Sequence, residues 1–230
     1  MIQNVPNLLS PYHGVFFDLD GTLADTAPDL VAATNKLLLA RKLAPKPYAE
    51  LRPCASAGAR GLIGGAFGIG TDHPDFISLR DEFYTYYEQA LLVDSKLFDG
   101  IDHLLQEMDK ANLPWGIVTN KSERFTNPLV KLMGLHQRSA STISGDTTPH
   151  SKPHPEPILH AARLANIDAN KSIYVGDDIR DIIAGKAAGM QTVAAAYGYC
   201  GCNEPPEAWG ADFVIHNPLD LLQIIFPNRV

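Results

Sequence analysis

Apolar positions in this chain gather into short unbroken runs, and several of those runs end on a polar group. Val15-Phe16-Phe17 leads into Asp18, Trp115-Gly116-Ile117-Val118 into Thr119, and Ile173-Tyr174-Val175 into Gly176-Asp177. Further runs cover Thr192-Val193-Ala194 and Phe213-Val214-Ile215. Runs this short and this continuous predict strands buried on both faces. Between them, apolar residues recur at helical spacing over 101–111, 125–133, 156–165, 179–188 and 219–226. Strand and helix in alternation predict an α/β fold, a Rossmann-like parallel sheet with helices on both faces.

One stretch breaks the alternation. From Asp25 to Leu97 the pattern is helical throughout, with no strand. Thr26-Ala27-Pro28-Asp29 reads as a helix start, with a capping hydroxyl, a proline in the first turn and an acid three residues on. Leu30, Ala33, Leu37 and Leu38 then share a face, and Phe76, Leu79, Phe83, Tyr87 and Ala90 form a second stripe at spacings of three and four. The expected division is a core from 1–24 and 96–230 and a helical insert over 25–95, the core resuming near Phe98-Asp99-Gly100.

At 230 residues with 45 % hydrophobic content, the chain is long enough to bury a sizeable core. Its longest apolar runs, such as Leu37-Leu38-Leu39-Ala40, are too short to span a bilayer. The first twelve residues lack the basic and apolar regions of a secretory leader, so no membrane partner and a cytoplasmic location are expected. The net charge is −7 and the Lys and Arg residues are dispersed, which argues against nucleic acid as a partner. Cys54, Cys200 and Cys202 give an odd count suited to a reducing compartment, and Cys200-Gly201-Cys202 without a second pair reads as loop thiols. Monomer and homodimer both stay open.

In open parallel sheets, ligands bind beyond the carboxyl ends of the strands. Parallel strands would therefore bring Asp18-Leu19-Asp20-Gly21-Thr22, Thr119-Asn120 and Gly176-Asp177-Asp178 to one edge. Carboxylates packed that closely repel one another unless a cation sits among them, and an oxygen-rich site of this kind suits Mg²⁺. The cation would then accept a phosphate oxygen that an acidic protein otherwise repels. Lys152, in Ser151-Lys152-Pro153-His154-Pro155, adds a positive charge, and the turn after Asp20 offers backbone N–H groups to an anion. Together these are the parts for phosphoryl transfer to an aspartate. Taken singly each has a plainer use. D-x-D also occurs in acidic turns and glycosyltransferases, Thr119 and Asn120 suit a helix cap, and Asp177, Asp178 and Asp181 suit a helix dipole.

The four signals in this order resemble the motifs of the haloacid dehalogenase superfamily of phosphatases over nearly the whole chain. The resemblance implies that Asp18 is the nucleophile, and that Asp20 protonates the leaving oxygen and later activates water. Thr119 and Asn120 would bind phosphoryl oxygens and Lys152 would neutralise charge. Mg²⁺ would be held by Asp18, the Asp20 carbonyl and Asp177, with Asp181 in support from the second layer. The helical insert matches the small cap of the phosphoglycolate phosphatase-like branch. Asp20 argues against a dehalogenase, and Asp18 with Asp20 argues against a non-enzymatic binding module.

For substrate, Phe98-Asp99-Gly100, Val118-Thr119-Asn120-Lys121, Lys152-Pro153-His154-Pro155 and Tyr197-Gly198-Tyr199 are similar to bacterial phosphoglycolate phosphatases. That favours a small carboxylate-bearing phosphate ester. Ser56-Ala57-Gly58-Ala59-Arg60, Arg124-Phe125 and Trp209-Gly210-Ala211-Asp212 are also similar to the N-acetylmuramic acid 6-phosphate phosphatases, the alternative. A phosphosugar mutase on the same fold is a further one. Arg60, expected in a polar loop of the cap, suits a substrate carboxylate by bidentate pairing, as it also suits simple solvation.

Overall fold

The computed structural model describes residues 10–201 and 204–227. Its core is a six-stranded, all-parallel sheet built from β1 (Gly14–Phe17), β4 (Trp115–Val118), β5 (Thr142–Ile143), β6 (Ser172–Gly176), β7 (Gln191–Ala195) and β8 (Phe213–Ile215). The order across the sheet is β5-β4-β1-β6-β7-β8, so β1 lies between β4 and β6. Numbered along the chain, these strands run 3-2-1-4-5-6, the dinucleotide-fold order whose direction reverses beside β1.

Alternate residues of β1 serve opposite faces, which explains the unbroken apolar run. Val15 and Phe17 pack in one cluster with Ile117, Ile173 and Val175, while Phe16 joins Val118, Ile143 and Tyr174 in another. The first face is covered by α5 (Ile101–Lys110), α6 (Glu123–Leu132) and α9 (Leu221–Ile225), through Leu104, Leu105, Met108, Leu129 and Ile225. The second is covered by α7 (Glu156–Leu164) and α8 (Ile179–Ala187), through Ile158, Ala161, Ala162 and Ala184.

The insert between β1 and α5 holds α1 (Ala27–Ala40), α2 (Tyr48–Leu51), α3 (Gly58–Phe67) and α4 (Phe76–Glu88). The apolar faces expected for 30–38 and 76–87 meet in one cluster, with Leu30, Ala33 and Leu37 packed near Leu79, Phe83 and Tyr87. The stretch is not wholly helical. Two-residue strands β2 (Ala24–Asp25) and β3 (Lys96–Leu97) pair antiparallel where the chain leaves and re-enters the core. Asp29, buried in the first turn of α1, accepts the N–H groups of Val93, Asp94 and Ser95 and the Ser95 hydroxyl, and so pins the returning strand. It is a tertiary anchor rather than the acid of a capping box.

Thr26 also differs from the sequence expectation. Its hydroxyl does not cap α1. The Tyr199 hydroxyl accepts from the N–H groups of Thr26 (2.7 Å) and Ala27 (2.8 Å), and the Thr26 hydroxyl donates to Asp20. A remote tyrosine thus satisfies the orphan amides, which frees Thr26 to hold a carboxylate. Two further differences lie at element ends. Residues 218–220 form a 3-10 turn before α9, and Ser56 and Ala57 close a 3-10 turn (Pro53–Ala57) that runs into α3. Arg60 therefore sits in the first turn of a helix, not in a loop. Cys200 is a half-buried free thiol whose pKa burial pushes up to about 11, and Cys202 lies outside the described residues. Among the described residues no helix is long and apolar enough to cross a membrane.

Candidate active site

The ends of β1, β4 and β6 bring Asp18, Thr119 and Asp177 to one edge, beside the point where the strand order reverses. Asp18 N–H donates to Val175 O (2.9 Å) and Thr119 N–H to Ile143 O (2.9 Å), so the sheet ladder itself fixes the first residue past each strand. After Asp18 the chain turns tightly. The N–H groups of Thr22, Leu23 and Ala24 all point at Leu19 O. Gly21 stands in that turn at φ 86°, and a Cβ there would lie 2.0 Å from Asp177 Oδ2. Only glycine lets the turn approach the second carboxylate this closely.

Asp18, Asp177 and Asp181 form one cluster, each offering a carboxylate oxygen within 4.8 Å of the others. Asp181 lies in that cluster with its Oδ1 on Lys152 Nζ and its Oδ2 on the Asp178 N–H. Asp178 lines the same cavity but is engaged elsewhere. It caps α8 by accepting from Arg180 N–H, pairs with the Arg180 guanidinium at 2.7 Å, and takes the Ser56 hydroxyl of the insert. Capping and site chemistry coexist here, since Asp181 also completes the capping box through the Asp178 N–H.

Lys152 is the positive centre. It is 3 % exposed, and its ammonium donates to Val118 O (2.8 Å), Tyr174 Oη (2.9 Å) and Asp181 Oδ1 (2.7 Å). An ammonium has three N–H groups, so these partners exhaust it. Asp18 Oδ1, 2.9 Å away, is held by charge alone and accepts no directed hydrogen bond although it is buried. Burial works to lower the Lys152 pKa, but the charges of Asp18 and Asp181 outweigh it and hold it well above the ordinary lysine value. For Asp177, burial and the charges of Asp18 and Asp181 push the carboxyl well up, against hydrogen bonds from Tyr199 N–H and Thr22. Burial likewise raises Asp181, to about 7, despite Lys152. Three converging carboxylates, one with an orphaned oxygen and two with raised pKa values, fit a bound divalent cation.

Asp20 stands apart from that cluster. Its Oδ1 accepts from Lys121 Nζ (2.7 Å) as well as from Thr26. Lys121 is a residue whose part sequence reasoning missed. Its ammonium lies 4.9 Å from the centre of the Tyr87 ring, on α4. Burial pulls its pKa down, yet the Asp20 charge carries it above the usual value. Asn120 is not free to reach a phosphate with its side chain. Its amide donates to Lys152 O (2.9 Å) and its carbonyl accepts Lys152 N–H (2.9 Å), clamping the loop that carries the lysine. Thr119 is buried, and its hydroxyl accepts Lys121 N–H (3.1 Å). Neither caps α6, where Ser122 takes the capping position.

The insert closes over this edge and leaves a cavity of about 560 Å³. The floor is Asp18, Asp20, Thr119 and Lys152, and the far wall carries Phe76, Phe83, Tyr84 and Tyr87 from α4 with Phe125 from α6. Arg60 lines the same cavity, exposed and with no side-chain partner among the described residues. Arg180 Nη2 donates to Ser56 O (2.7 Å), Arg52 donates to Gly198 O (3.0 Å), and Arg124 pairs with Glu88 at 2.6 Å, so arginines from both sides help to dock the insert on the core.

A six-stranded parallel sheet with carboxylates at its switch point and a helical cap above them is an α/β architecture whose ligand site lies at the strand ends. The sequence profile of the haloacid dehalogenase-like hydrolases matches residues 15–195, and the chain belongs to that family. It is 41 % identical over 211 residues to the N-acetylmuramic acid 6-phosphate phosphatase of Pseudomonas aeruginosa, covering 92 % of this chain and 93 % of that one. It is 43 % identical over 207 residues to the phosphoglycolate phosphatase of Xanthomonas campestris pv. campestris, covering 90 % and 93 %. A crystal structure from Haemophilus somnus, described as a predicted phosphoglycolate phosphatase, superposes with a TM-score of 0.82 at 25 % identity, covering 94 % of this chain and 99 % of that one. The chain is a phosphatase of this family.

Proposed function

We propose that the protein hydrolyses the phosphomonoester of an acidic amino sugar, of the N-acetylmuramic acid 6-phosphate kind, with Mg²⁺ and through an aspartyl-phosphate. The observation that carries the substrate is the cavity. Its 560 Å³ falls in the range of about 300–1,000 Å³ that holds ligands of drug size. A two-carbon acid leaves most of it to water, whereas a sugar ring reaches the aromatic wall. Arg60 supplies the free cation that a lactyl carboxylate requires. Two N-acetylmuramic acid 6-phosphate phosphatases of Pseudomonas species match over 211 residues at 41 % and 43 % identity, which supports the same choice. The phosphoglycolate reading, favoured by the shorter motif likenesses, is the competitor.

In this mechanism residues 25–95 act as the cap and the strand ends as the catalytic floor. Asp18 attacks phosphorus, while Asp20 gives a proton to the leaving oxygen and then takes one from the attacking water. Lys152 balances the charge gathered at Asp18 and Asp181. Thr119, through its hydroxyl, and Asn120, through its main chain, face the phosphoryl oxygens. Asp18, Asp177 and the Asp20 carbonyl would hold the cation, with Asp181, whose oxygens already take Lys152 Nζ and Asp178 N–H, in support. When bound, Mg²⁺ supplies the positive charge that lets a phosphate approach three carboxylates.

Kinetics on three esters test the substrate. N-acetylmuramic acid 6-phosphate is expected to exceed 2-phosphoglycolate in kcat/KM by at least about tenfold, or about 1.4 kcal/mol of barrier. Arg60→Ala should raise KM for both by about tenfold or more and leave an aryl phosphate unchanged, the loss of about 1.5–3 kcal/mol for a charge-assisted pair. Preference for phosphoglycolate would overturn the sugar assignment, and an isomer formed from a sugar 1-phosphate would make the protein a mutase.

The cation is tested without turnover. Because Asp177 and Asp181 are raised in the folded protein, with Asp181 near 7, the metal-free folded state binds protons that the unfolded state has lost above about pH 4. That stability is full below pH 4 and disappears as pH rises through 7. Thermal melts in chelator should therefore show Tm falling between pH 5 and 8. Saturating Mg²⁺ should raise Tm more at pH 8 than at pH 5. A Tm insensitive to Mg²⁺ at pH 8 contradicts the site.

A further inference from the structure

We propose that Lys121 is a positioning residue that orients the Asp20 carboxyl for proton transfer, and that Tyr87 of the cap completes the arrangement. The inference rests on Asp20 being the proton donor. Two donors from separate elements converge on one oxygen of Asp20, Lys121 Nζ at 2.7 Å from the loop after β4 and the Thr26 hydroxyl from the start of α1. The carboxyl plane cannot turn without breaking both. Oδ2 takes no hydrogen bond among the described residues, and Asp20 lines the cavity beside Asp18. One oxygen is gripped and the other is left toward the reacting centre.

Lys121 is an unusual lysine for a strand-end loop. Its side chain is 8 % exposed, and Asp20 is its one ionic partner among the described residues. Burying an unpaired ammonium is costly, so lysines stay in water unless a specific partner holds them. Its second neighbour is the Tyr87 ring, centred 4.9 Å away, an aromatic face that favours a cation. Tyr87 is itself 1 % exposed, and its ring packs 5.3 Å from Phe125 on the core. The ring reaches Lys121 because α4 is docked. Cap closure and the orientation of Asp20 are therefore linked through one side chain.

The chemistry needs such a grip. As the Asp18 carboxylate oxygen bonds to phosphorus, the bond to the leaving oxygen breaks and its electron pair stays on that oxygen. The proton on Asp20 Oδ2 neutralises it, and the alcohol departs. Water then bonds to phosphorus and gives a proton back to Oδ2, the Asp18–phosphorus bond breaks, and phosphate leaves. An alkoxide leaving group depends on that first proton, and a nitrophenolate leaves without it. Proton transfer by a placed side chain is worth about a hundredfold or more, and only at hydrogen-bond range.

The test compares kcat/KM for 4-nitrophenyl phosphate and for an alkyl phosphate, glucose 6-phosphate, because kcat/KM stops at the first irreversible step and excludes dephosphorylation. Lys121→Met keeps the stem over Tyr87 and removes the charge. It should lower kcat/KM for the alkyl ester by about a hundredfold, and for the aryl ester by less than about fivefold. Lys121→Arg should restore most of the loss. Asp20→Asn is the reference and should show the same preference, more strongly. If Asp20→Asn lowers both esters alike, Asp20 is not the donor and the underlying mechanism fails. If Asp20→Asn discriminates but Lys121→Met lowers both alike, Lys121 binds phosphate or supports the fold, and the proposal is overturned. Lys121→Leu, which also removes both charge and donor and should show the same split between the esters, replaces the methionine variant if that does not fold.

Discussion

Asp18→Asn is expected to lower turnover by at least about a thousandfold, some 4 kcal/mol of barrier, while leaving the fold intact. An amide nitrogen or oxygen does not form the acyl-phosphate bond at a useful rate. The geometry makes the stability side equally specific. Asp18 shares its site with Asp177 and Asp181, and among the described residues one buried ammonium, Lys152, stands against the three. Removing one negative charge relieves repulsion, and Lys152 keeps its ion pair with Asp181 at 2.7 Å. Metal-free Asp18→Asn should therefore melt no lower than the parent. Phosphate release from an aryl ester and a melt in chelator check both halves. Activity within tenfold of the parent would remove Asp18 from the mechanism.

Lys152→Met is expected to fail in stability as well as in activity. The ammonium satisfies Val118 O, Tyr174 Oη and Asp181 Oδ1, and lies 2.9 Å from Asp18. Methionine fills the volume and leaves two buried carboxylates without a counter-charge. Breaking a buried pair from one side costs about 3–5 kcal/mol. Adding Asp181→Asn removes one of the stranded charges and should recover part of the loss, which a double-mutant cycle measures. Urea denaturation in chelator would show it. A loss under about 1 kcal/mol would mean that Lys152 is not the centre of the network.

The strands that carry the site were legible because they lie in the middle of a sheet covered on both faces. Val15 to Phe17, Trp115 to Val118 and Ile173 to Val175 alternate between two cores, so every position is apolar and the run is continuous. The polar residue after each run then marks the strand end. By contrast β5 is only Thr142–Ile143 at the sheet edge, and β2 and β3 are two residues each, too short for any periodicity to declare them.

What stayed hidden depends on residues far apart in sequence. The rule that a threonine before Pro and Asp caps its own helix is local. Here Tyr199, 173 positions away from Thr26, takes the amides instead. Asn120 has the side chain of a phosphate ligand, yet folds it onto the Lys152 main chain. Lys121 follows two recognised residues directly, and the signals for it were that adjacency and its place in the Val118-Thr119-Asn120-Lys121 likeness, neither of which gave it a role. Its burial comes from Tyr87, a residue that the helical spacing of 76–87 marked as core without saying which groups it would cover.

The covalent step is reached most directly by stalling the protein halfway. Asp20→Asn removes the base for the second step, and 4-nitrophenyl phosphate does not need the acid in the first. Acid quench of this variant with that ester and Mg²⁺, followed by peptide mass mapping, should find one phosphoryl group on the peptide containing Asp18. The Asp18→Asn/Asp20→Asn double variant should carry none. Nitrophenol release with no phosphoryl group on that peptide, or with the group on another residue, would contradict the assignment of Asp18 as the nucleophile.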